Sequence, residues 1–213
     1  MAPRRNRVRP DGSIVASASR GTYFGNRGCL HGVDGDLRRH FRGASWITCL
    51  LEFKGRHREM LVPGRFTELF FLDEATALAA GHRPCVECRR ADFVRFATAW
   101  QRAQGLDARP RAADIDRVLH EQRTIDLDVA VRWPERLELL PTGTVIDLAD
   151  GWGLVSGSGV RPWSDEGYGS LVMTGPIVMV VTPRATVAAL SAGYAVDLHR
   201  SAYRPDGGIA PSA

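Results

Sequence analysis

Lysine is almost missing from this chain. Of 28 basic residues only Lys54 is lysine, and the other 27 are arginine. A GC-rich genome gives the same skew, so the arginine count alone assigns no function. Long apolar runs are also missing. None approaches the roughly 20 residues that span a bilayer, which argues against a helical membrane anchor. The basic start "MAPRRNRVRPDGS" is followed by no apolar stretch of the kind a secretory signal carries, so a cytoplasmic location is expected. Cysteine is scarce, with four in 213 residues. In a reducing compartment four such residues are thiols or metal ligands rather than disulfides. Several catalytic signatures are lacking as well. "GNRG" has too few glycines for a phosphate or dinucleotide loop. "VLHEQ" places His120 and Glu121 on a helix without the second histidine of a zinc protease. No Ser-His-Asp set stands out, and no catalytic residue is assigned.

What is present is an ordinary globular composition, 44% hydrophobic and 24% charged, in a length that suits one substantial domain or two small ones. The charge is uneven. Residues 1–105 hold 18 basic and 10 acidic residues, net +8, whereas residues 106–213 hold 10 and 14, net −4. A basic half is the footprint of a nucleic-acid or phosphate binder, and a solvated arginine surface gives the same count.

Periodicity and turn residues predict an α+β fold. Residues 1–19 read as a loose basic tail. Residues 20–105 read as a metal-binding region, with a strand in "SWITCLLEF" (Ser45 to Phe53) and a second in "HREMLV" (His57 to Val62), joined as a hairpin at Gly55. A third strand, "TELFFL", precedes a short helix "EATALAA" with Asp73 as N-cap and Gly81 as its C′ residue. Phe93, Phe96, Ala97 and Trp100 then recur at helical spacing. Residues 106–213 read as a helix at Ala112 to Gln122, a small antiparallel meander, the strand "GPIVMVVTP", and a final helix entered through Thr182 and Pro183 and closed by Gly193. No linker longer than Gly105–Arg111 separates the halves, so they can share one core. "ATALAAGHRPCVEC" and "TVAALSAGYAVDLH" have a common core, which strand–helix–glycine mechanics explains.

The chemistry concentrates in "AGHRPCVECRR", Ala80 to Arg90. A CxxC pair lets the backbone curl around a metal ion, and Pro84 stiffens its entry. A redox dithiol has the same spacing but sits at the start of a helix after a strand, whereas this pair follows a capped helix. Cys85 and Cys88 are therefore expected metal ligands. The other ligands must come from upstream: Cys49 on the first strand and Cys29 in the glycine-rich loop make four cysteines, and His31 is the substitute for either. Cys49 in "ITCLLEF" also reads as a small buried hydrophobe. Asp36, Glu52 and Lys54 fit the D…E-x-K pattern of a metal-dependent nuclease, but E-x-K is short and common and runs into a turn, so exposed turn residues are the favoured reading. Arg83, Arg89 and Arg90 flank the cysteines, with Arg56 and Arg58 on the neighbouring hairpin. Together these five are expected to form a phosphate-contacting patch.

"TELFFLDEATALAAGHRPCVECRRAD", Thr67 to Asp92, resembles the second half of the zinc-binding domain of the Ada DNA-methylation-repair family. That family has an apolar strand, an "EAL-x-AG" helix and an Arg-Pro-Cys-x-x-Cys ending in this order. The resemblance implies that Cys85 and Cys88 supply two of four zinc thiolates. It covers about 26 residues and departs from the family upstream, where the other ligands, including the methyl-accepting cysteine, form a close pair. Here Cys29 and Cys49 are 20 residues apart. The chain also resembles a set of bacterial proteins with "GNRG…LH", "LEFKGR" and "TELFFLDEATALAAGHRPC" in the same order, a likeness that implies no activity. The resulting expectation is a cytoplasmic protein with a structural zinc that contacts nucleic acid through its basic half. The alternative is a nucleic-acid-processing enzyme, either a metal-dependent nuclease or a repair methyl acceptor.

Overall fold

The computed structural model describes residues 3–55, 60–123, 131–157 and 159–204. The first part runs β1 (Arg5–Val8), β2 (Ile14–Ala16), β3 (Tyr23–Asn26), β4 (Ile47–Leu50), β5 (Leu69–Phe71), α1 (Glu74–Ala79), β6 (Arg83–Pro84), α2 (Arg90–Gln104) and α3 (Ala112–Arg123). The second runs β7 (Trp133–Arg136), β8 (Val145–Leu148), β9 (Gly151–Ser156), β10 (Gly159–Ser164), β11 (Gly167–Tyr168), β12 (Ile177–Val180) and α4 (Arg184–Ser191). The fold is α+β, as expected. Among the described residues the strands form two six-stranded sheets, ordered β2-β1-β5-β3-β4-β6 and β11-β10-β9-β8-β12-β7. Among the described residues no helix is long and apolar enough to cross a membrane.

Two expectations in the first sheet need correction. Residues 3–19 are not a loose tail. β1 pairs with β2 through a turn at Gly12, and β1 also joins β5 in parallel, because Val8 and Ile14 have an apolar face to bury. The hairpin expected around Gly55 does not form as drawn. Met60–Val62 is turn and irregular chain, and the rest of that strand lies outside the described residues. Both edges of β4 are already taken, by antiparallel β3 and parallel β6, which leaves no edge for a hairpin partner.

α1 is the peg between the sheets, and all six of its residues are buried. Asp73 caps it by accepting the Thr76 N–H at 2.9 Å, an interaction worth about 1 kcal/mol. Ala77 and Ala80 pack on Leu69 and Phe71 of the first sheet. Leu72, Ala75 and Ala79 pack on Val145, Leu154 and Tyr168 of the second. Leu78 enters a third cluster with Phe96, Trp100, Ile115, Leu119, Ala189 and Leu190, which draws on all four helices. The two halves of the chain therefore share buried contacts.

α1 ends as its sequence predicts. Gly81 at φ 80° lets its own N–H reach Leu78 O (3.0 Å) and the His82 N–H reach Ala77 O (2.9 Å). α4 repeats this wiring, with Gly193 N–H on Leu190 O (3.0 Å) and Tyr194 N–H on Ala189 O (3.1 Å). The start of α4 differs from expectation. Pro183 is the N-cap, and the Thr182 hydroxyl instead accepts the Val145 N–H at 2.9 Å.

Candidate metal centre

The site is assembled by one short parallel pairing. β6 lies beside β4 with Ile47 opposite Arg83 and Thr48 opposite Pro84. The Cys85 N–H donates to Thr48 O at 2.9 Å, which places Cys85 beside Cys49. Pro84 keeps the entering backbone extended. The chain then curls, with Arg89 N–H donating to Cys85 O at 3.2 Å, so that Cys88 returns to the same point before α2 begins. The Sγ atoms of Cys49, Cys85 and Cys88 all lie within 4.8 Å of one another. Cys49 and Cys85 are buried and Cys88 is half-buried. Phe24, Ile47 and Phe70 wall the cluster.

The electrostatics suit a cation. The Cys85 thiol is pulled well down by hydrogen bonds from Cys49 and then Cys88, with further help from the Glu87 and Cys88 N–H groups. The Glu87 N–H lies 3.4 Å from its sulfur. Cys49 is pushed the other way, up, by Cys85, by Cys88 and by burial. At Cys88 the bond from Cys49 pulls down, but Cys85 and burial outweigh it and the thiol ends raised. A cation bound at the three crowded sulfurs would displace their protons. Thiolates around one tetrahedral ion at about 2.3 Å sit about 3.8 Å apart, so the observed cluster needs little closure to hold one.

The other expected ligands lie apart from this group. Cys29 is half-buried, with its thiol 3.7 Å from His31 O. His31 has both ring nitrogens engaged, Nδ1 with the Thr67 hydroxyl at 2.6 Å and Nε2 with Val62 O at 3.2 Å. Among the described residues the cysteine cluster is the only group of three or more such side chains gathered for a metal, and Asp36 and Glu52 belong to none. Glu52 and Lys54 are exposed, as a turn requires.

Two of the five residues expected in the arginine patch are committed elsewhere. Arg83 is buried and forks onto Asp116 of α3, Nε to Oδ1 at 2.9 Å and Nη2 to Oδ2 at 2.7 Å. Arg89 is buried between Glu74 (2.7 Å) and Asp92 (2.8 Å), with its guanidinium over the Tyr23 ring. Neither can meet a phosphate, because each is already committed to a carboxylate inside the protein. Arg90 is exposed, while Arg56 and Arg58 lie outside the described residues.

Sequence reasoning missed a different basic feature. A cleft of about 800 Å³ is lined by Arg4, Arg5 and Arg38 together with Asp34 and Asp36. A smaller one beside it adds Arg39 and His40. The signal was in "PRRNR", at β1, and "DLRRHFR", in the connection between β3 and β4, two arginine runs that line the same pair of clefts. Comparison with family models, with curated proteins and with solved structures gives no match.

Proposed function

We propose that this chain is a zinc protein whose ion is held by Cys49, Cys85 and Cys88. The observation that carries the reading is the gathering of three sulfurs from two separated segments within 4.8 Å. Soft thiolates of this kind suit zinc among the available divalent ions. The resemblance of Thr67 to Asp92 to the Ada zinc-binding domain supports the same choice, with Cys49 standing where that family has an upstream pair. Free thiols in such a cluster suit the reducing cytoplasm. The ion would join β4 to the turn before α2, a structural role in which water or a further ligand takes the fourth position. The test is zinc content after purification in reducing buffer: about one ion per chain in the native protein, loss of it in Cys49→Ser, and retention in Cys29→Ser. Zinc-free native protein after controlled loading overturns the proposal.

A second part of the reading is contact with nucleic acid, supported by the cleft that Arg4, Arg5 and Arg38 line. Arg38 pairs with Asp34, and Arg39 and Arg5 are exposed beside it. Binding of a short DNA duplex should weaken steeply between about 50 and 200 mM salt. Arg5→Ala with Arg39→Ala should lower the salt slope by about 1 to 2, while Arg90→Ala should leave it unchanged. Equal binding by all three proteins contradicts this part.

A further inference from the structure

We propose that the metal at the cysteine centre controls how firmly the segment from Tyr194 to His199 docks on α1, with Arg89 as the link. This inference rests on the zinc reading above and adds a regulatory consequence to it.

Arg89 follows Cys88 with no intervening residue and is itself the N-cap of α2. A shift of the Cys88 backbone therefore moves Arg89 directly. The Arg89 side chain is 2% exposed, and its Nη2 lies 2.7 Å from Oε1 of Glu74, which is 1% exposed. Glu74 is also what the later segment grips. The Tyr194 hydroxyl donates to Glu74 Oε1 at 2.6 Å, and the Asp197 N–H donates to Oε2 at 2.9 Å. Tyr23, under the Arg89 guanidinium, donates its hydroxyl to Asp197 Oδ2 at 2.6 Å. One arginine thus orders two groups that hold the same segment.

The other end of the turn is equally constrained. Arg83, two residues before Cys85, is tied to Asp116 on α3. With an ion bound, three sulfurs fix the turn and Arg89 stays aligned on Glu74. Without it, the crowded thiols separate and the turn relaxes at its Cys88 end, since Arg83 holds the other. Glu74 then loses part of its compensating charge in a site with almost no access to water. A buried carboxylate tolerates that poorly, so it turns toward solvent or takes up a proton, and Tyr194 and Asp197 lose their acceptor.

The Asp197 amide reports this directly, because its hydrogen goes to Glu74. Hydrogen exchange is followed in the full chain, loaded with zinc and then stripped with a chelator. The expected result is about tenfold faster exchange at Asp197 on stripping, with the β9 and β10 amides unchanged. In Arg89→Met, with zinc uptake verified, Asp197 should exchange fast with and without the ion. If that variant does not fold, the native comparison decides alone. Equal Asp197 exchange in loaded and stripped native protein overturns the coupling while leaving the zinc site standing. Uniform loss of protection across both sheets also overturns it, since the ion would then hold the whole fold. Failure to take up zinc overturns the metal reading together with this inference.

Discussion

Two corners of this protein have the same backbone and different consequences. β5 leads into α1, Gly81 and His82. β12 leads into α4, Gly193 and Tyr194. Each helix closes with the same pair of hydrogen bonds around a left-handed glycine, and each delivers a buried aromatic ring. After His82 the chain runs along β4 and reaches Cys85. After Tyr194 it crosses α1 and gives its N–H groups to Glu74 and Asp73. The corner mechanics therefore say nothing about metal. The residues three to six places beyond the first corner do. The corners also interlock, since Tyr194 of the second bonds Glu74 of the first.

The largest expected effect comes from cutting that interlock. Arg89→Ala strands Glu74 as a buried, half-compensated charge and should lower the unfolding free energy by about 3–5 kcal/mol in denaturant titration. Arg102→Ala, which removes only an exposed hydrogen bond to Ala192 O at the second corner, should leave it nearly unchanged. Equal losses would mean that the two corners are not distinguished by the buried pair.

A smaller difference lies in the two rings. His82 is held well below its usual range by burial first, then by Arg27 and Arg123. The unfolded chain takes up a proton near 6.5 that the folded chain refuses. Stability from this ring is therefore complete above that pH and drains below it, by about 2 kcal/mol between pH 6.5 and 5. Tyr194 has its phenol pushed up by burial, stays neutral throughout, and adds no slope there. The difference between urea midpoints of native protein and His82→Gln across this range isolates the ring. It separates His82 from Asp73 and Glu74, whose raised carboxyl groups act with the opposite sign. Parallel profiles would contradict the assignment.

The smallest effect compares the glycines. Both sit at positive φ, 80° and 95°, where alanine costs about 1 kcal/mol. A Cβ at Gly81 would also lie 2.7 Å from Arg123 Cδ, whereas at Gly193 the nearest side-chain atom is 3.6 Å away. Arg123 must then shift, which strains its bond to Gly81 O and its stacking on Trp46. Gly81→Ala should cost about 2 kcal/mol and Gly193→Ala about 1, read as midpoint shifts in the same denaturant.

The local elements were legible because their signals are local. Asp73, Gly81 and the 3.6-residue spacing around Phe96 and Trp100 act within a turn or two of themselves. Cys85 and Cys88 were legible for the same reason. Cys49 as their partner was an open alternative beside Cys29 and His31, because the choice depends on β6 pairing with β4, a contact between residues 36 apart in the chain. The arginines misled because charge in a sequence carries no burial. Arg83 and Arg89 look like surface cations until Asp116 and Glu74, which are 33 and 15 residues away in the chain, are seen to meet them. The β1–β2 hairpin was hidden by its arginines in the same way, since only Val8 and Ile14 mark its inner face.

The most direct measurement is X-ray absorption at the zinc edge of loaded native protein. Three or more sulfur neighbours at about 2.3 Å are predicted, unchanged in Cys29→Ser. A shell of nitrogen and oxygen with at most one sulfur would contradict the assembly of Cys49, Cys85 and Cys88 around one ion.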